Sequence, residues 1–139
     1  MKEEKCIFCK IANGEIPSFT LYEDDMFRVI FDLSPAAKGH ALILPKEHFR
    51  NLFELDDEYA AALMPLAKKV ATALSLELKC DGFNLLQNNE EIAGQTVFHF
   101  HIHLIPRYKD DTFSFSTSHG KIDENEATKL AAKIIKALS

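Results

Sequence analysis

The segment GQTVFHFHIHLIPR, residues 94–107, alternates two kinds of side chain, and this restricts what it can become. From Phe98 to Leu104 every second residue is apolar, and His99, His101 and His103 stand between them. Successive side chains of a strand point to opposite faces. Period two therefore puts Gln95, Val97, His99, His101, His103 and Ile105 on one side, and Thr96, Phe98, Phe100, Ile102 and Leu104 on the other. The second set belongs in a core. The histidines then line whatever cleft the opposite face presents.

The rest of the chain supplies partners for such a strand. FTLYEDDMFRVIFDLSP reads as strand, acidic turn at Glu23 to Asp25, and strand ending at Pro35, which is a hairpin. GHALILPKEH is a further short strand limited by Pro45, and GFNLLQNN another. Between Asp56 and Leu78, apolar Tyr59, Leu63, Leu66, Val70, Leu74 and Leu78 recur at helical steps; Pro65 bends this longest helix or marks a late start. A short helix over residues 6–13 stops at Asn13-Gly14, and Asp123 with Glu126 caps a closing amphipathic helix carrying Leu130, Ile134, Ile135 and Leu138. The expected class is α+β, a mainly antiparallel sheet with one long inserted helix and shorter terminal ones, in a single domain over residues 1–139.

A net charge of -5 excludes a surface built for a nucleic acid duplex but leaves room for a local phosphate pocket. No apolar run is long enough for a membrane span, and MKEEKCIFCK lacks the core of a secretory signal, so the chain reads as cytoplasmic. Its three cysteines are a poor disulfide framework. Cys80 reads as a packed thiol; Cys6 and Cys9 form a C-x-x-C with half the ligands of a zinc site.

Three alternating imidazoles have three readings: tolerated polar residues on a half-exposed strand, a metal site, or phosphoryl or nucleotidyl transfer. No Asp or Glu occurs from Ile92 through Lys109. A carboxylate there would repel an anion; its absence, with Gly94 for close backbone approach and Gln95 and Thr96 as donors, favours a phosphate cradle over a catalytic metal.

HFHIHLI resembles the signature of the histidine triad (HIT) superfamily of nucleotide hydrolases and transferases, in its bacterial Hit-like branch. CIFCKIANGEIPS, FDLSPAAKGHALILPKEH and LLQNNEEIAGQTVFHFHIH are similar to further family segments in the same order. The resemblance implies a HIT-like fold with a five-stranded sheet. It implies a purine nucleotide hydrolase in which His101 attacks the α-phosphorus of a nucleoside phosphoramidate or related conjugate, flanked by His99 and His103 and supported by His40. Asn88, Gly94, Gln95 and Thr96 match phosphate-side contacts, with Gln95 or Thr96 near the leaving group. Asp32 matches the ribose carboxylate, and Ile7, Phe8, Ile11, Ile30 and Leu33 the base slot. The chemical step needs no metal.

The same resemblance implies a structural zinc held by Cys6, Cys9, His48 and His99, and a homodimer with a sheet continuous across the interface. HLIPR is closer to the Pro-Arg ending of a branch that includes dinucleoside polyphosphate hydrolases than to a Gly-Gly-Arg ending. Diadenosine polyphosphate cleavage is therefore one alternative, and a nucleotide-binding regulator with little catalysis another.

Overall fold

A computed structural model describes residues 2–115 and 117–139. Helix α1 spans Ile7–Ala12, β1 Thr20–Glu23, β2 Phe27–Phe31, β3 Ala41–Pro45, α2 Asp57–Leu78, β4 Gly82–Leu86, β5 Ile102–Arg107 and α3 Glu124–Leu138. The five strands form one sheet, antiparallel as the strand pattern predicts, in the order β1-β2-β3-β5-β4. Asp24 closes the β1-β2 hairpin by accepting the backbone N–H groups of Met26 and Phe27 at 2.8 Å.

The two faces of the sheet have different covers. On one, Phe27, Val29, Ala41, Ile43, Phe100, Ile102 and Leu104 pack against Leu63, Leu66, Ala67, Val70 and Leu74 of α2. Those helix residues recur at three- and four-residue steps, so a single stripe is buried. Pro65 lies inside α2, which neither starts late nor stops there. On the other face, Ile30, Leu42 and Leu44 meet Ala12, Phe8 and Ile11 of α1. Leu42 is the cross-strand partner of His103, so the histidines share the α1 face, while Leu104 opposite Ala41 points to α2.

One expectation is corrected. The ladder of β5 begins only at Ile102, so the alternation does not extend back to Gln95. Gln95 is 1% exposed where the cleft face was expected, Thr96 is exposed, and Phe98 leaves the core to lie under the guanidinium of Arg50, 4.3 Å from its ring centre. A chain outside a ladder has no reason to keep period two. Helix α3 forms with its Asp123 cap, whose side chain accepts the Glu126 N–H at 3.0 Å, but none of its residues is buried.

Candidate active site and metal centre

Gly39 lets the chain enter β3 tightly enough to deliver His40. Its φ is +88°, and a Cβ there would overlap Leu78 Cδ1. His40 is buried behind His103, and its hydrogen bonds define its tautomer. The Ala36 N–H donates to His40 Nδ1 at 3.0 Å, so Nε2 carries the proton and donates to His103 Nδ1 at 2.9 Å. His103 in turn keeps its proton on Nε2. Asp32 lies 3.6 Å from His40 Nε2 and also accepts the Ser34 N–H at 2.8 Å, so it shapes a turn and faces the histidines together. Asp32, His40 and His103 cluster closely enough to suggest a cation site. The backbone donor on Nδ1 argues against one: ligation through Nε2 would require an imidazolate.

His101 Nδ1 lies 2.7 Å from the carbonyl oxygen of His99. A carbonyl only accepts, so the Nδ1 is protonated and Nε2 keeps its lone pair. Burial holds His101 below the ordinary imidazole range, and it holds His40 down as well. Burial, reinforced by neighbouring His101 and His40, brings His103 to about 4. These rings are neutral at pH 7. The ring of Phe8 stands edge-on to His101 with centres 5.0 Å apart.

His101 and His103 border a cavity of about 640 Å³. Of the sequence-predicted residues, Ile7, Phe8, Ile11, Ile30, Asp32, Leu33 and Thr96 line it, whereas Asn88, Gly94, Gln95, His40 and His99 do not. Gln95 is committed to its own loop: it accepts the Glu90 N–H at 2.8 Å and donates to the carbonyls of Arg50 at 2.7 Å and Val97 at 3.1 Å. Asn88 reaches the Gly94 carbonyl at 3.5 Å. Sequence reasoning missed the segment Ile16 to Phe19, which closes the apolar side of the cavity. Its signal in the sequence is two apolar residues, Ile16 and Phe19, flanking Pro17-Ser18.

The side chain of His99 faces away from the cavity. It is fully buried, its Nε2 donates to the Pro45 carbonyl at 2.8 Å, and its free Nδ1 sits 3.4 Å from both Cys6 Sγ and Cys9 Sγ. His48 Nδ1 is 3.3 Å from Cys9 Sγ, while its Nε2 meets the Glu3 carboxylate at 2.9 Å. The four potential ligand atoms lie within 4.8 Å of one another. A tetrahedral ion with ordinary zinc–sulfur and zinc–nitrogen bonds separates S and N by about 3.6 Å, so the donor set fits zinc closely. Each imidazole offers a lone pair inward and is held outward by an oxygen, the arrangement metal-binding histidines use. Burial pushes the Cys9 thiol up to about 11.

This antiparallel sheet, with a histidine cluster and an apolar cavity under α1, is an architecture that known proteins share. The HIT domain family model matches residues 13–110, and the chain belongs to that family. The adenosine 5′-monophosphoramidase of Saccharomyces cerevisiae is 49% identical over 102 residues, 73% of this chain and 62% of that protein. A protein from Streptococcus mutans superposes with a TM-score of 0.94 at 43% identity, covering 99% of this chain and 88% of the other. A zinc-bound histidine triad family protein from Mycobacterium smegmatis superposes with a TM-score of 0.75 at 32% identity, covering 97% and 98%.

Proposed function

We propose that the protein is a purine nucleotide hydrolase that cleaves nucleoside phosphoramidates or related mononucleotide conjugates at the α-phosphate. The observation that carries this reading is the hydrogen bond from His101 Nδ1 to the His99 carbonyl, which leaves Nε2 as a neutral nucleophile on a ring that borders the cavity. The likeness to a relative named as an adenosine 5′-monophosphoramidase supports the same reaction class.

In the first step the Nε2 lone pair forms a bond to phosphorus as the bond to the leaving group breaks. The leaving group departs with that electron pair and takes a proton from water. Positive charge then develops on the His101 ring, where the His99 carbonyl faces it. His103 Nε2–H and Thr96 are the donors at the phosphate. In the second step water attacks phosphorus and gives up a proton to solvent, the N–P bond breaks, and its electrons return to Nε2. No metal enters either step. Asp32 takes the ribose hydroxyls, and Phe8, Ile11 and Ile30 hold the base.

Residues 1–139 are read as one HIT domain that assembles as a homodimer. Among the described residues no helix is long and apolar enough to cross a membrane. Zinc is held by Cys6, Cys9, His48 and His99, where it ties α1 to the strand edge. His99 thereby serves the reaction through its carbonyl and not its ring.

The test is AMP release from adenosine 5′-phosphoramidate with and without chelator. Turnover by the wild type without added metal, lost in His101→Ala, is the expected result. AMP binding with no turnover of any conjugate would overturn the hydrolase in favour of a binding protein.

A further inference from the structure

Helix α1 serves two clusters at once. Cys6 at its N-cap meets His99, and Cys9 meets His48 and His99, while Ile7, Phe8 and Ile11 from the same turns line the nucleotide cavity. Phe8 stands between the two: its ring is edge-on to His99 with centres 6.1 Å apart and to His101 at 5.0 Å.

The two ends of α1 are held differently. At the far end the Ala12 carbonyl accepts from Arg28 Nε at 3.1 Å, Asn13 Nδ2 donates to the Lys46 carbonyl at 3.0 Å, and Ala12 is buried with Ile30, Leu42 and Leu44. At the start, among the described residues, the side-chain polar contacts with the sheet run through the cysteine cluster: Cys6 to His99, Cys9 to His48 and His99, and Glu3 to His48. A helix of 6 residues is too short to persist without such anchors. Docked, it completes both clusters. A loosened start withdraws Cys6 and Cys9 from one and Ile7 and Phe8 from the other together.

We propose that the cysteine cluster and the nucleotide cavity bind their ligands cooperatively through α1: the start of the helix docks when the cysteines hold zinc, which completes the base slot, and a nucleotide in that slot tightens zinc by the same factor. The inference rests on the nucleotide and zinc readings above and adds a connection between them. Linkage requires the reciprocity. Charge does not carry the effect, because two thiolates cancel that of a divalent ion and leave little attraction for a phosphate.

The experiment measures zinc affinity by competition against a chromophoric chelator, without nucleotide, with saturating AMP and with saturating adenosine. AMP should tighten zinc about fivefold or more. Adenosine fills the base slot without a phosphate and should tighten zinc by a similar factor. Zinc affinity unchanged by either ligand overturns the proposal, as does an effect of AMP that adenosine does not share, since charge would then carry it. Arg28→Met removes an anchor at the far end of α1 and leaves the residues of both sites in place. Each ligand alone should bind this variant more weakly, whereas AMP should bind the zinc-loaded variant within about twofold of the wild type, so the gain from one ligand to the other grows. Equal weakening of AMP with and without zinc would take α1 out of the connection. A wild type that binds no zinc, or no AMP, would reject the metal or the nucleotide reading and the coupling with it.

Discussion

His101 is tied to the backbone of the residue two positions before it, with Nδ1 2.7 Å from the His99 carbonyl oxygen, while the His99 ring turns the other way to meet Cys6 and Cys9 at 3.4 Å. One residue thus joins the two clusters, its carbonyl orienting the His101 ring and its imidazole completing the cysteine set. His101→Ala removes the proposed nucleophile and leaves the other residues that line the cavity unchanged. Steady-state AMP release should fall by at least about a thousandfold, with AMP affinity changed only a fewfold. A variant retaining a tenth of the wild-type rate would show that another group attacks.

Gln95 is a buckle for the loop that carries Thr96 into the cavity. Its side chain is 1% exposed and makes three hydrogen bonds to the backbone at Glu90, Arg50 and Val97. Glu90 sits beside it at φ +72°, a strained conformation for a residue with a Cβ, held by Arg50 and Asn51 on its carboxylate. Gln95→Ala strands a half-buried N–H and two half-buried carbonyls and opens a void. Urea unfolding should show a loss of about 2–4 kcal/mol. Nucleotide affinity should weaken through Thr96, and a loss below about 0.5 kcal/mol would mean that water or a neighbour replaces the side chain.

What the sequence made legible follows from where one face of an element is buried. The α2 stripe and the strands Phe27–Phe31 and Ala41–Pro45 keep their periods because each has a core on a definite side. Period two could also be read at His99 to Leu104, where side chains alternate between α1 and α2. It misled at Gln95 to Phe98, because hydrogen bonds inside an irregular loop, not a sheet, decide which side chains are buried there. Glu3 lies in an exposed polar run that carries no periodicity, so its place beside His48 had no signal. The Cys6, Cys9, His48 and His99 grouping came only from family resemblance: residues separated by up to 93 positions meet through the fold and not through spacing.

Glu3 buttresses the cysteine cluster from outside. Its carboxylate meets His48 Nε2 at 2.9 Å, and its backbone N–H donates to Cys9 Sγ at 3.4 Å. The first contact fixes the ring and leaves Nδ1 for an ion; the second survives any substitution at the side chain. Glu3→Ala should weaken zinc about tenfold to a hundredfold in competition against a chromophoric chelator. Glu3→Gln, which still accepts from Nε2, should fall between that variant and the wild type. Wild-type affinity in Glu3→Ala would remove the carboxylate from the metal's support.

His103 and His40 make the fold sensitive to acid. Burial brings His103 to about 4 and holds His40 below its ordinary value, against the pull of Asp32, whereas both titrate near about 6.5 in an unfolded chain. Between these limits the unfolded state binds protons that the folded state refuses, so stability is full above about pH 6.5 and is lost as pH falls toward 4. From pH 7 to pH 5, His103 alone should account for a loss of about 2 kcal/mol. His103→Asn cannot titrate, so its unfolding free energy should decline less over that interval by about the same amount. Urea titrations of both proteins at the two pH values measure this difference. Parallel declines would assign the acid sensitivity to groups outside the His40–His103 pair.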